Sequence, residues 1–160
     1  FHDDPRYIAA LASSINAHWM DYGRPEKLVM SFHGLPKVSI ARGDPYYGQC
    51  LESGQRLAGA LGLTEADFAI TFQSRFGPAE WLQPYTQASL ESLARAGVRR
   101  VDVVCPGFVS DCLETLEEIA IECKAAFLAA GGQEFRYIPC LNERHEWIEA
   151  LARLVRDRLG

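Results

Sequence analysis

VDVVCPGFVSDCLETLEEIAIECKAAFLAA, residues Val101–Ala130, holds a complete strand, loop and helix in one stretch. Val101 to Val104 is a short run of β-formers, which suits a strand buried on both faces. Pro106 to Ser110 is a loop. From about Asp111 to Ala130 apolar residues return at three- and four-residue steps, so a long helix follows, stopped by Gly131-Gly132.

The same unit recurs outward in both directions. Upstream, Tyr7 to Met20 has helical periodicity, with Pro5 suited to a first turn. Lys27 to Phe32 (KLVMSF) is of strand length, and Gly34 to Pro45 reads as a loop. Tyr46 to Leu61 reads as a helix closed by Gly62, and Phe68 to Phe72 (FAITF) as a strand. Ser74 to Pro84 is a loop before a helix from Thr86 to Ala96. Downstream, Phe135 to Ile138 is a fourth strand, and a last amphipathic helix spans about Glu143 to Leu159. Strands alternating with helices predict an α/β fold: a three-layer, doubly wound, four-stranded parallel sheet. With 160 residues, no repeat and no linker, residues 1–160 form one domain. The chain opens on Phe1 rather than Met, which reads as a processed product or, in preference, a piece of a longer protein.

The composition excludes several functions. A net charge of −5 and only an isolated Arg99-Arg100 pair offer no basic stripe for nucleic acid. No apolar run approaches the roughly 20 residues of a membrane-spanning helix. Five widely spaced cysteines, with no C-x-x-C, point to reduced thiols in a cytoplasmic protein. There is no G-x-G-x-x-G, no Walker loop and no G-x-S-x-G, so nucleotide cofactors and serine hydrolysis are unsupported.

Ligands of such sheets bind outside the carboxyl ends of the strands. The unusual segments of this chain fall there. His33 ends the first strand and precedes a glycine. It suits proton transfer or ligation of Fe²⁺ or a similar metal, or else caps the strand end by hydrogen bonding. On the long helix, Leu113, Leu116, Ala120, Cys123 and Phe127 form the stripe expected to face the sheet. Asp111, Glu114, Glu118 and Glu122 fall on roughly the opposite side. These carboxylates read either as a solvated polar face or as a ladder for cations or protons. Asp111 and Glu114 also fit a capping box. Cys112, in the expected first turn, is either a reactive thiol or a small residue at a crowded turn. Tyr46, Tyr47, Phe76, Trp81 and Phe108 flank the same loops and could wall a planar ligand. Arg75 could hold an anion.

Three motifs then stand in one order: SFHGLP with a following GDPY, FQSRFGPAEWLQPYT, and CPGFVSDCLETLEEI. Together they resemble the ferrochelatases, over essentially the whole chain and in the family's C-terminal half, especially its Gram-negative bacterial members. The resemblance implies insertion of Fe²⁺ into protoporphyrin IX, with release of two protons. It implies His33 and Glu114 at the metal site, and an inward acidic row through Glu118 and Glu122 on a helix with widened π-type turns. His33, Glu114 and Glu118 are then the expected catalytic residues. Trp81, Arg75, Tyr46, Asp111 and Glu122 are the expected substrate contacts. The expected partners are protoporphyrin IX, Fe²⁺ and an N-terminal domain not contained in this chain. Peripheral contact with the inner membrane also follows from a poorly soluble porphyrin. Some family members carry a [2Fe–2S] cluster on a C-terminal cysteine group. Ending at Gly160 without that group, this chain is expected to carry none and to need no cofactor. A chelatase for another tetrapyrrole or metal, and a non-catalytic haem- or metal-binding module, remain open.

Overall fold

The computed structural model describes residues 1–159. Asp4 caps the first helix, α1 (Pro5–Tyr22), by accepting from the Arg6 backbone N–H at 2.9 Å. Strand β1 (Lys27–His33) is buried from Leu28 to Phe32, as a central parallel strand must be. Next come α2 (Lys37–Ala41), α3 (Tyr46–Leu61), β2 (Phe68–Gln73), α4 (Thr86–Arg95) and β3 (Arg100–Val104). A π-helix (Glu114–Cys123) leads into α5 (Lys124–Ala129), then β4 (Glu134–Tyr137) and α6 (His145–Leu159).

All strand pairs are parallel and the order is β2-β1-β3-β4. Alternate residues of β1 feed two cores. Leu28, Met30 and Phe32 pack with Leu11, Ile15, Leu57 and Trp147 of α1, α3 and α6. Val29 joins Val101 and Val103 against Leu90 of α4, Ile119 of the π-helix and Phe127 of α5. This is the expected three-layer α/β arrangement. Helix α3 lies close to the sheet because position 54 is glycine: a Cβ there would sit 2.4 Å from Ile70 Cδ1. None of the helices described is long and apolar enough to cross a membrane.

Three expectations need correction. Lys37–Ala41, read as loop, is a short helix; five residues carry no visible period. The long helix does not start at Asp111, and its first ten residues are π, as the family resemblance implied. Leu113 and Leu116, expected to face the sheet, are 69% and 49% exposed, while Thr115, Ile119, Cys123 and Phe127 are buried. The reason is geometric. Bonds closing at i→i+5 put more than 3.6 residues in each turn, so residues four apart come nearly into line. Glu114, Glu118 and Glu122 therefore form a row beside the buried one, not opposite it.

Candidate functional site at the strand ends

Strands β1 and β3 are neighbours, yet the chain leaves them in opposite directions: toward β2 from β1, toward β4 from β3. The crevice at their carboxyl ends is the switch point where such sheets bind ligands. His33 is the last residue of β1 and pairs in register with Gln73, the last of β2.

His33 Nδ1 lies 2.6 Å from the carbonyl oxygen of Gly34. A carbonyl only accepts, so Nδ1 carries the proton in this contact, and in the neutral ring it is Nε2 that presents the lone pair. The Tyr46 hydroxyl donates to the His33 carbonyl at 2.9 Å and fixes the backbone beneath the ring. Burial pushes that phenol well above its ordinary range, so it remains a donor. Trp81 and Phe108 flank the imidazole, with ring centroids at 6.3 and 6.2 Å. Trp81 is held by an antiparallel bridge to Pro36, and Leu82 N–H donates to Leu35 O at 2.8 Å. The indole Nε1 of Trp81 is buried with no acceptor. At position 34 a Cβ would lie 2.9 Å from Gln73 O and 3.2 Å from Trp81 Cε3, so glycine is what lets the two loops meet.

The second arm is the π-helix. Glu114 is half-buried at its first position. A hydrogen bond from the Cys112 side chain holds its carboxyl below the usual range. The Glu114 backbone N–H acts the same way and burial acts against both, while the positive charge His33 carries only when protonated adds the weakest pull downward. Glu114 is therefore held in its anionic form. Glu118 is not the unpaired acid of a free ladder: Ser74 donates to it from N and from Oγ, both at 2.7 Å, and Gln73 Nε2 lies at 3.4 Å. Ser74 adopts φ 63°, a left-handed conformation uncommon for serine, which turns its N–H toward the helix. Glu122 is exposed, on an open groove with Leu113, Leu116 and Ile121.

Asp111 does not form the anticipated capping box. Its carboxylate accepts from Tyr137 OH (2.6 Å), Asn142 Nδ2 (2.8 Å), Thr115 Oγ1 (3.1 Å) and Cys140 N (3.3 Å). Burial pushes it up, but the bonds from Asn142, Tyr137 and Cys140 outweigh that and leave it below the ordinary value. It anchors the loop before the π-helix to the β4–α6 connection. Arg75 is exposed, with its guanidinium 5.3 Å from the Tyr85 ring centroid.

Comparison with known proteins places this geometry. The ferrochelatase family pattern matches residues 1–159. The chain belongs to the ferrochelatase family. It is 62% identical over 160 residues to the ferrochelatase of Azoarcus sp. (strain BH72), covering 100% of this chain and 44% of that protein. Against the ferrochelatase of Bordetella pertussis the identity is 60% over 159 residues, 99% of this chain and 44% of the relative. For Methylobacillus flagellatus it is 57% over 159 residues, 99% of this chain and 46% of the relative. The chain thus spans less than half the length of these ferrochelatases.

Within this ferrochelatase chain the structure brings together His33, Tyr46, Trp81, Glu114 and Glu118 at one end of the sheet, with Asp111 behind and Glu122 and Arg75 at the margins. Sequence reasoning passed over Gln73, Ser31 and Thr115. The available signal was a polar residue ending the apolar strand FAITFQ, since a buried amide there must find partners.

Proposed function

We propose that this chain is the C-terminal domain of a ferrochelatase and carries the side chains that insert Fe²⁺ into protoporphyrin IX, releasing two protons. The observation that carries the reading is His33, with Nε2 outside its Gly34 contact and Trp81 and Phe108 around the ring, at the same end of the sheet as the anionic Glu114, in a chain of this family. Porphyrin metallation has two requirements. Two pyrrole N–H protons must leave a planar ring, and the cation must shed water. An imidazole lone pair flanked by Trp81 and Phe108 suits proton removal at neutral pH, or delivery of the cation to the ring. The Glu114 carboxylate suits replacement of hydration. Aromatic rings either side of the imidazole give a surface against which the macrocycle can be bent, exposing a nitrogen lone pair. Glu118 supports the π-helix from the strand side and Glu122 continues the acidic row to solvent. Tyr46 acts through the His33 backbone, Asp111 through the loop it anchors, and Arg75 offers a cation for a propionate.

The remaining wall of the cleft belongs, in this reading, to an N-terminal domain of the same protein. We read the protein as cytoplasmic, touching the inner membrane peripherally to receive a poorly soluble porphyrin. We also read it as free of an iron–sulfur cluster. Burial pushes Cys50 up to about 11 and Cys123 and Cys140 up to about 12, so these thiols stay protonated and are poor ligands.

The test is turnover by the full-length protein with Fe²⁺, Co²⁺ and Zn²⁺ against protoporphyrin IX and a corrin-type precursor. Multiple turnovers of haem formation, fastest with Fe²⁺ and protoporphyrin, are expected. Preference for another metal and ring would favour the other chelatase reading. Stoichiometric binding without product would make it a binding module.

A further inference from the structure

Between the His33 arm and the Glu114 arm lies a single residue, Gln73. Its side chain is almost fully enclosed, at 3% exposure for the residue. Its backbone carbonyl accepts the Gly34 N–H at 2.8 Å, one residue from His33. Its Nε2 donates to the Glu114 carbonyl at 2.8 Å and approaches the Glu118 carboxylate at 3.4 Å. The amide cannot turn over without loss, because Oε1 accepts from Ser31 Oγ at 2.7 Å and from Cys105 Sγ at 3.5 Å. Ser31 is itself held by Thr86, which also bonds Thr71.

We infer that Gln73 is the positioning residue of this site, setting the placement of Glu114 and Glu118 relative to His33. The inference rests on the proposed chelatase reading and assigns Gln73 no contact with substrate. The physical basis is that the first π turn has few other ties to the strand ends. Among the described residues, apart from Gln73, the bonds across this gap run from Ser74 to Glu118. A buried amide whose four partners come from β1, the residue just past β3 and the π-helix transmits the register of the sheet to the Glu114 backbone. Buried networks satisfied at every member rigidify what they join. A misplacement of about 1 Å in a reacting group costs on the order of a hundredfold in rate.

The experiment uses the full-length protein with Gln73→Met, which keeps the length without polar atoms, and Gln73→Glu, which keeps the shape but loses the donor. Ser31→Ala leaves the amide intact and removes one of its two orienting donors. Haem formation is followed at varied porphyrin concentration, with thermal unfolding in parallel. Positioning predicts kcat down about tenfold or more in both Gln73 variants, with KM for porphyrin within about threefold. It predicts a smaller kcat loss in Ser31→Ala and melting temperatures close to wild type. Should Gln73→Met fail to fold, Gln73→Glu and Ser31→Ala decide. Wild-type kcat in the folded Gln73 variants and in Ser31→Ala, or rate losses that only track lost folded protein, would overturn the inference. Absence of turnover in the wild type would instead fail the proposed function itself.

Discussion

At His33 the nitrogen nearer the backbone is committed to the Gly34 carbonyl, which leaves one lone pair and one orientation for chemistry. That commitment depends on Gly34, whose missing side chain lets Gln73 O and Trp81 approach. Gly34→Ala is expected to destabilise the domain by about 1–3 kcal/mol through overpacking against a backbone oxygen that cannot swing aside. Its rate loss should exceed what unfolding alone explains. Urea midpoints beside turnover measure both. His33, Trp81 and Glu114 stood out because strand-end position and residue chemistry are visible in sequence, but only the family resemblance joined His33 and Glu114 in one site. Gln73 did not stand out, because a strand-terminal glutamine looks like an ordinary solvent-facing end until its partners on β1, just past β3 and on the π-helix are seen.

Among the elements, the π-helix separates what periodicity can and cannot tell. The length and existence of a helical segment after Ser110 follow from its apolar residues. Which residues face the sheet does not, because 100° per residue applies only to α geometry. Leu113 and Leu116 were therefore placed inward and are outward, while Thr115, a polar residue at 0% exposure, was passed over. The cap of α1 shows the opposite case, where local chemistry is decisive. Asp4 bonds the Arg6 backbone and guanidinium, and the side-chain bond from Arg6 holds its carboxyl down to about 2. Its folded pKa is below its ordinary value of 3.8, so its contribution is present above pH 3.8 and disappears as pH falls through about 2. Asp4→Ala should lower stability near pH 7 by about 1 kcal/mol. The gap from wild type should close between pH 4 and pH 2 in acid titrations of unfolding.

At the scale of the whole molecule, alternating strands and helices were enough to give the layers and the all-parallel sheet, since crossover rules leave few other topologies. The strand order itself emerged only from the structure, and with it the neighbouring β1 and β3 ends that hold His33 and the loop to Phe108. The far edge of the sheet is tied by a buried ion pair. Asp102 accepts from Arg136 Nε at 2.6 Å and from Trp19 Nε1 at 2.8 Å, and Arg136 also donates to Tyr22 O and Gly23 O at the end of α1. Removing one partner strands the other in the core. Arg136→Met is expected to cost about 3 kcal/mol, read from the urea midpoint, without a specific change in KM. In the proposed reading, the exposed margins Leu113, Leu116 and Glu122 face the part of the cleft that the N-terminal domain would supply. The most direct measurement is iron insertion into protoporphyrin IX by the full-length protein carrying His33→Ala or Glu114→Gln. The account predicts a folded protein in each case and a rate lower by about a hundredfold or more. Near-wild-type rates in both variants would contradict it.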